Sequence, residues 1–238
     1  MRAPLPSEGK RQVTTNGAPH AAAACGKAAD LARRDGTAMQ TSTIDQAASA
    51  LKRGRAVIFP TDTVYGLGVA VDAASGPDIL YDLKERDAGK PIAWLVGGLD
   101  DLDRYGRVVP ELARTLARTF WPGPLTLVVK ASDEVPPAFR SAEGTIGLRM
   151  PNNATALALV RAAGCPLATS SANVSGVRAP RSLDAVDPAF AERVGLVVAD
   201  DADGDKSGVA STVLDCTQDH PVVVREGAVT IADIRALS

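Results

Sequence analysis

From residue 43 onwards, helix-like and strand-like patterns alternate along the chain with only short turns between them. An amphipathic stretch over 44–53 ends at Gly54, and a short apolar run over 56–59 ends at Pro60. Such alternation is typical of a layered α/β domain. The sequence therefore predicts one domain over 43–238, without an internal linker or repeat.

The later elements are predicted from the same patterns. Further helices are expected over 77–85, 110–120, 154–163 and 231–237. Further strands are expected over 69–71, 91–96, 125–129, 145–150, 166–169, 196–199, 211–215 and 222–225. The segment from Pro60 to Gly68 carries two glycines and is expected to form a loop.

The first 42 residues differ from the rest in composition. Residues 1–38 hold six Lys and Arg against three acidic residues, with few bulky apolar side chains. Such a stretch cannot bury enough apolar surface to form a core, so residues 1–42 are predicted to be a disordered N-terminal extension. Contact with RNA is one role left open for it. A start codon placed too early is the other reading, because Met39 directly precedes the first patterned helix.

Composition excludes several classes of protein. No apolar stretch reaches the roughly 18 residues needed to cross a bilayer, and no secretory signal is recognisable. The three cysteines form no C-x-x-C pair and no even disulfide set, which favours the reducing cytoplasm. With only two histidines, His20 and His220, neither a zinc centre nor a histidine-based triad is expected.

Two short polar pairs, Lys84-x-Arg86 and Ser171-x-Asn173, carry the strongest functional signal. Each follows an apolar run and opens a turn. Residues two apart on a helix face different directions, so Lys84 and Arg86 can share a site only if the helix ends there. Residues two apart in an extended segment point the same way, so Ser171 and Asn173 can face one ligand. Two cations and two small polar side chains suit the phosphates of a nucleotide.

Other motifs limit the ways in which this chain could bind a nucleotide. Gly66-x-Gly68 lacks the third glycine of a dinucleotide fingerprint, and no G-x-x-x-x-G-K loop occurs. Any ATP would therefore be held without that loop, and Mg²⁺ is expected to arrive with the nucleotide. Arg149, close before Pro151 at a strand end, can pair with a carboxylate. Solvated helix-end cations and a plain turn stay open as alternative interpretations of the two polar pairs.

Seven segments occur in an order that is more specific than any one of them. They are 60–68, Lys84-x-Arg86, 121–126, 147–151, 171–176, 211–213 and 225–227. Together they resemble the threonylcarbamoyl-AMP synthase family, whose members share a YrdC-like domain. The resemblance covers residues 43–238, and the chain is similar to the short form of the family, without an additional C-terminal domain.

This resemblance implies both a fold and an activity. The fold is a three-layer α/β domain around a twisted mixed sheet, YrdC/RibB-like, with a wide basic concavity. The activity is that of an L-threonylcarbamoyladenylate synthase, a nucleotidyltransferase that converts L-threonine, bicarbonate (or CO2) and ATP into threonylcarbamoyl-AMP and pyrophosphate. In the family, proteins of a transferase complex then place the group on tRNA as threonylcarbamoyladenosine.

The resemblance also implies roles for individual residues. The catalytic set would be Lys84, Arg86, Ser171 and Asn173. Contacts to ATP would come from Arg86, Lys90, Thr145, Ser171 and Arg225. The pocket for L-threonine would be formed by Thr63, Arg149, Thr169 and Ser211. No metal ligand from the protein is implied, since Mg²⁺ would accompany ATP.

Several positions depart from the family pattern. Glu85 and Asp87 place acids beside the cations, Arg181 stands where a hydroxyl is usual, and Leu95 stands where some members have a histidine. A paralogue of the family that acts on another substrate therefore stays open. A module that binds double-stranded RNA or tRNA is the other alternative, although residues 43–238 are net acidic.

Overall fold

The computed structural model describes residues 41–88, 92–200 and 206–237. The helices are α1 (Ile44–Leu51), α2 (Asp78–Lys84), α3 (Asp101–Tyr105), α4 (Glu111–Phe120), α5 (Ala154–Ala163), α6 (Pro188–Val194) and α7 (Ile231–Arg235). The strands are β1 (Val57–Pro60), β2 (Tyr65–Ala70), β3 (Ala93–Leu95), β4 (Leu125–Lys130), β5 (Thr145–Arg149), β6 (Leu167–Ser171), β7 (Thr212–Asp215) and β8 (Val222–Arg225). Short 3₁₀ turns cover Pro137–Phe139 and Leu183–Ala185.

Local sequence explains where several helices begin and end. α1 begins at a capping box, in which Thr43 and Gln46 each accept a hydrogen bond from the other's backbone N–H. α5 begins after Asn153, whose side chain accepts from the backbone N–H of Ala156. The same helix ends at Gly164, which takes the left-handed conformation with a φ of 83°. These caps explain why the predicted bounds of α5 are confirmed residue for residue.

The eight strands form one mixed sheet in the order β1-β2-β6-β3-β5-β4-β7-β8. The pairs β3–β5 and β4–β7 are parallel, and the other neighbouring strands are antiparallel. Helices alternate with these strands along the chain. The α/β fold class with a mixed sheet, as predicted from the sequence, is confirmed.

Side chains alternate along each strand and paired residues share a face, so the register separates two rows in the centre of the sheet. We call the face with small and polar residues in this centre the polar face, although it also carries the buried residues Leu95 and Leu167. One row of paired residues crosses the sheet and is fully buried: Val69, Ala168, Trp94, Leu148, Leu127 and Leu214. The adjacent row points to the opposite face and is small or polar: Gly68, Thr169, Ala93 and Gly147. On this face the ring of Phe59 covers Gly66 and Gly68 in β2, whereas Thr169, Ala93 and Gly147 in the middle of the sheet are only partly buried.

Aromatic side chains cover the centre of the apolar face. Trp94 in β3 meets the ring of Tyr105 in α3 and the ring of Phe139 edge-on, with centroid distances of 5.3 and 5.6 Å. Edge-on contacts match the charge distributions of aromatic rings, and each buried ring contributes about 1.5–3 kcal/mol by burial alone. This cluster fixes β3 and the strands beside it, and thereby the polar face behind them.

Two predictions of local structure are wrong, and two short helices were missed. Gly66 and Gly68 lie within β2 and not in a loop, because the ring of Phe59 occupies the space beside them. A Cβ on Gly68 would come within 2.9 Å of Phe59 Cε1, so the strand requires glycine there. The strand predicted over 196–199 reduces to isolated bridges of Val197. The short helices α3 and α6 were not predicted, since five and seven residues show too little of the helical period.

The predicted N-terminal extension falls mainly on residues 1–40, which lie outside the described residues. Of its last two residues, Thr41 forms a bridge with Val197, and the backbone N–H of Ser42 donates to Val197 O at 2.7 Å. Among the residues that the structure describes, no helix combines the length and apolar character needed to cross a membrane.

Candidate functional site

The end of α2 brings Lys84 and Arg86 to the same place. The helix stops at Lys84, and Glu85 takes the left-handed conformation with a φ of 51°. The backbone N–H of Arg86 then donates to Tyr81 O at 3.0 Å, which closes the last turn. Both cationic side chains reach the end of β6, and we refer to Lys84 and Arg86 as the cation pair.

The cation pair contacts the polar segment that ends β6. Lys84 Nζ donates to Ser171 O at 2.5 Å and to Asn173 O at 2.6 Å, and lies 3.5 Å from Ser171 Oγ. Arg86 Nη1 lies 3.5 Å from Ser170 Oγ. Lys84 is only 3% exposed, so its interpretation as a solvated helix-end cation is wrong. The two sequence motifs predicted to act together are adjacent in space.

The charge of Lys84 has no acidic partner among the described residues. Its pKa is lowered from 10.5 to about 8, first by burial and second by the nearby charge of Arg86. Near neutral pH the ammonium group is therefore still mostly protonated. A buried cation that is held by neutral carbonyl oxygens and lacks a carboxylate is well suited to an anionic ligand.

Ser171 and Asn173 use their side chains differently. Ser171 is the last residue of β6 and points to the polar face, because it pairs with Gly66. The Asn173 amide donates to Val174 O at 2.8 Å and to Val177 O at 2.7 Å, so it shapes the loop after β6. Asn173 Oδ1 is buried and accepts no hydrogen bond from the part of the chain that the structure describes. That oxygen is the side-chain atom of Asn173 that is left to accept a hydrogen bond.

A second polar group forms around Arg149 at the end of β5. Its guanidinium donates from Nε to Gly123 O at 3.0 Å, from Nη1 to Thr63 Oγ1 at 3.2 Å and from Nη2 to Asp62 Oδ1 at 2.5 Å. Arg149 is 7% exposed. Burial lowers the pKa of Arg149, while the charge of Asp62 opposes that shift. The sequence predicted a carboxylate partner for Arg149, and Asp62 already supplies one from within the chain.

The turn that carries Asp62 and Thr63 is held from two sides. Thr61 Oγ1 accepts from the backbone N–H of Thr63 at 3.2 Å and donates to Val64 O at 2.6 Å. From the other side, Ser207 N–H donates to Asp62 O at 3.2 Å, and Gly208 N–H donates to Thr63 O at 2.9 Å. The turn is therefore rigid enough to present both side chains to Arg149.

Ser211 and Arg225 complete this group. Arg225 Nη2 donates to Ser211 O at 2.8 Å and lies 3.1 Å from Ser211 Oγ, and its charge lowers the pKa of Arg149. Ser211 Oγ is also 3.0 Å from Thr126 Oγ1, both residues being buried. We call the group of Arg149, Asp62, Thr63, Ser211 and Arg225 the arginine cluster. Thr126 was not singled out from the sequence, although it lies in the 121–126 segment that carries the resemblance.

The remaining residues predicted for the site are more dispersed. Thr169 lies on the polar face, and its hydroxyl donates to Leu167 O at 2.8 Å. Thr145 begins β5, at the opposite end of the strand from Arg149, and its Oγ1 is 2.8 Å from Ser141 Oγ. Lys90 lies outside the described residues. Within 41–88, 92–200 and 206–237, no group of three His, Cys, Asp or Glu side chains could hold a metal ion.

The chain is thus an α/β protein with a mixed sheet, a cation pair at one strand end and an arginine cluster on the polar face, and the charges of these groups suit anionic ligands. The family model of the Sua5/YciO/YrdC proteins, described as "Telomere recombination", matches residues 49–227. The chain belongs to this family, and the family resemblance seen in the sequence is confirmed.

Several relatives are similar over most of this chain. A threonylcarbamoyl-AMP synthase of Bacillus subtilis is 36% identical over 195 residues, which cover 82% of this chain and 56% of the relative. A Mycobacterium leprae relative is 38% identical over 191 residues, which cover 80% of this chain and 86% of the relative. The chain thus spans little more than half the length of the Bacillus subtilis protein, and a similar share (55%) of a Pyrococcus abyssi threonylcarbamoyl-AMP synthase.

Solved structures show the same fold. The crystal structure of Pyrococcus abyssi Sua5 complexed with L-threonine matches with a TM-score of 0.76 and 34% identity, covering 82% of this chain and 56% of that one. Escherichia coli YciO matches with a TM-score of 0.67 and 29% identity, covering 78% of this chain and 89% of that one.

Proposed function

We propose that this chain is an L-threonylcarbamoyladenylate synthase, a nucleotidyltransferase that uses L-threonine, bicarbonate (or CO2) and ATP. The observation that carries the proposal is the presence of two cationic groups that differ in whether a carboxylate is paired with them. The cation pair has no carboxylate partner among the described residues, whereas the arginine cluster contains one. The names of the Bacillus subtilis and Pyrococcus abyssi relatives support the activity, and the threonine bound by Pyrococcus abyssi Sua5 supports the amino-acid substrate.

The arginine cluster, apart from Arg225, is the proposed site for L-threonine. A guanidinium has five N–H donors, and three of those on Arg149 are in use. The two that remain can take the carboxylate of an amino acid. The hydroxyls of Thr63, Ser211 and Thr169 would then surround its amine and side chain. Asp62 adds a carboxylate that is complementary to an ammonium group.

The cation pair and the end of β6 form the proposed site for the phosphates of ATP. Lys84 and Arg86 supply charge, and Ser171 supplies a hydroxyl on the polar face. Further ATP contacts from Lys90, Thr145 and Arg225 follow from the family resemblance. We propose that Mg²⁺ arrives with ATP and would neutralise phosphate charge there, because no acidic cluster of the described residues would hold it.

The chemistry follows in two steps. The amine of L-threonine forms a bond to the carbon of CO2 and loses a proton, which gives a carbamate. A carbamate oxygen then attacks the α-phosphorus of ATP, and the bond to pyrophosphate breaks. Lys84 and Arg86 would stabilise the negative charge that develops on the phosphates. Ser171 and Asn173, which complete the proposed catalytic set, would position the nucleotide against the threonine.

We also propose which class of protein consumes the product. An acyl-type adenylate is an activated group, so a transferase must consume it. The family resemblance favours proteins of a transferase complex that modify tRNA to threonylcarbamoyladenosine, acting in the cytoplasm, and leaves contact with tRNA or double-stranded RNA as an alternative role.

One observation favours a paralogue with another substrate. Leu95 pairs with Arg149 across β3 and β5, so it lies beside the arginine cluster on the polar face. An apolar side chain there removes a polar contact that a histidine would offer to the hydroxyl of threonine. A substrate without that hydroxyl would tolerate the change.

A pyrophosphate-release assay tests the proposal. Purified protein is supplied with ATP, Mg²⁺ and bicarbonate, with L-threonine, with L-serine, with L-valine or with no amino acid. Release that requires both L-threonine and bicarbonate is expected. Release with L-valine in preference to L-threonine would favour the paralogue, and ATP binding without release by any of these amino acids would contradict the proposed activity.

A further inference from the structure

The cation pair depends on an unusual backbone conformation. Lys84 and Arg86 are two residues apart, and a continuing helix would turn them to different sides. The left-handed conformation of Glu85, with a φ of 51°, ends α2 and redirects Arg86 toward the end of β6. A residue with a Cβ adopts this conformation at a cost in free energy that glycine does not incur. The backbone N–H of Arg86, which donates to Tyr81 O, holds part of this turn, and a contact to the Glu85 side chain would add to it.

Arg193 in α6 makes such a contact to Glu85. Its Nη1 donates to Glu85 Oε1 at 2.5 Å, and its Nη2 donates to Leu83 O at 2.5 Å. One guanidinium thus binds the side chain of the left-handed residue and a carbonyl from the last turn of α2. Arg193 Cζ also lies 5.6 Å from the ring centroid of Phe190, a residue of the same helix. This contact supports the Arg193 side chain on α6, beside the end of α2.

We propose that Arg193 is a positioning residue for phosphate binding by the cation pair. It keeps Glu85 in the left-handed turn, and it directs the carboxylate of Glu85 away from the phosphates that the cations would bind. This inference rests on the proposed function, because it takes the cation pair to be the phosphate site. It explains how an acid can stand between two cations without opposing the ligand.

An ordinary surface ion pair is the alternative. The side chains of Arg193 and Glu85 are 41% and 60% exposed, and an exposed pair contributes little to stability. Arg104 provides a matched control. It donates from Nε to Glu134 at 2.8 Å, is similarly exposed, and lies 5.0 Å from the ring centroid of Tyr105. Neither Arg104 nor Glu134 touches the cation pair.

The test compares four variants of the full chain: Arg193→Gln, Glu85→Gly, the double variant that combines these two, and Arg104→Gln. Binding of ATP and of inorganic pyrophosphate is measured by calorimetry, L-threonine binding is measured alongside, and thermal unfolding confirms that each variant is folded. We expect Arg193→Gln to weaken ATP and pyrophosphate binding about 5- to 10-fold, with L-threonine binding unchanged. Arg104→Gln is expected to change neither affinity by more than about 2-fold.

The double variant decides between positioning and a plain ion pair. Glycine adopts the left-handed turn without an anchor and brings no carboxylate, so adding Glu85→Gly is expected to restore the phosphate affinity that Arg193→Gln removes. Unchanged pyrophosphate binding in Arg193→Gln would overturn the inference, as would failure of Glu85→Gly to restore it. So would wild-type protein that binds neither ATP nor pyrophosphate. Loss and rescue without any amino-acid-dependent turnover would uphold the inference and contradict the proposed activity.

Discussion

The cation pair and the arginine cluster are both cationic, but they balance their charge in opposite ways. Arg149 is paired with Asp62 at 2.5 Å, inside the chain. Lys84 meets only carbonyl and hydroxyl oxygens, and the carboxylate of neighbouring Glu85 is directed to Arg193. The Arg149–Asp62 pair is thus balanced before a ligand arrives, and Arg225 leaves the arginine cluster with one net positive charge. The cation pair has no acidic partner among the described residues.

This difference explains which ligand each region suits. An amino acid is a zwitterion, so a guanidinium beside a carboxylate matches it and leaves no net charge to neutralise. The phosphates of ATP carry several negative charges, so two cations that have no carboxylate partner among the described residues match them. The lowered pKa of Lys84 is the cost of keeping that charge buried without an acid. The predictions below separate the two regions, from the largest expected effect to the smallest.

Loss of Arg86 should remove most of the activity. We expect Arg86→Ala to lower pyrophosphate release by about 10²- to 10³-fold, because the charge that stabilises the developing phosphate charge is gone. Arg86 lies after the end of α2, so thermal unfolding should change little. Arg235→Ala, an exposed arginine in α7, serves as the control and should keep full activity. Normal turnover by Arg86→Ala would remove the cation pair from the proposed site.

Loss of Asp62 should affect stability as well as binding. Asp62→Asn leaves the buried guanidinium of Arg149 without a charged partner, which we expect to lower the free energy of unfolding by about 2–3 kcal/mol. The matched control is Asp103→Asn, which breaks the exposed pair with Arg114 and should cost less than about 1 kcal/mol. Urea unfolding measures both. Equal small effects would mean that the pair with Arg149 is not a buried charge pair in solution.

Binding of ATP should weaken as Lys84 loses its proton. The pKa of Lys84 is about 8 in the folded protein, so affinity for pyrophosphate should fall above pH 8, approaching tenfold per pH unit. Stability should move the other way. Between pH 8 and 10.5 the unfolded lysine still binds a proton that the folded one has released, so this group favours folding more as pH rises. Calorimetry from pH 7 to 10 measures the affinity for pyrophosphate, with Lys84→Met for comparison.

The smallest effect is expected at the hydroxyls of the arginine cluster. Ser211→Ala removes an Oγ that lies 3.0 Å from Thr126 Oγ1 and 3.1 Å from Arg225 Nη2. A lost hydrogen bond to a charged or buried partner predicts an increase of about 5- to 10-fold in the KM for L-threonine, with the KM for ATP nearly unchanged. An equal increase in both KM values would argue against separate regions.

Local features of the fold could be predicted from the sequence, because they depend on neighbouring residues. The bounds of α5 and β8 are confirmed, and the pairing of Lys84 with the segment after Ser171 follows from two turns that each expose a polar motif. Burial was not predictable in the same way. The sequence left a solvated helix-end cation open as the alternative for Lys84, and the burial of this side chain beside Ser171 O and Asn173 O becomes visible only in the fold.

The contacts that the sequence did not reveal join residues far apart in the chain. Asp62 is 87 residues from Arg149, and Glu85 is 108 residues from Arg193. Neither pair has a local periodicity or spacing that marks it, and each depends on how strands and helices are arranged. Gly66 and Gly68 mislead for a different reason: the ring of Phe59 comes from the neighbouring strand β1, and the pairing of β1 with β2 was not predicted.

The most direct test of two separate regions is a crossed binding measurement. The affinities of Arg86→Ala and Arg149→Lys for ATP and for L-threonine are each measured by calorimetry. We predict that Arg86→Ala loses ATP binding and keeps threonine binding, whereas Arg149→Lys loses threonine binding and keeps ATP binding, because lysine cannot reproduce the planar fork of the guanidinium. Equal losses of both ligands in both variants would contradict the assignment of the two regions to two substrates.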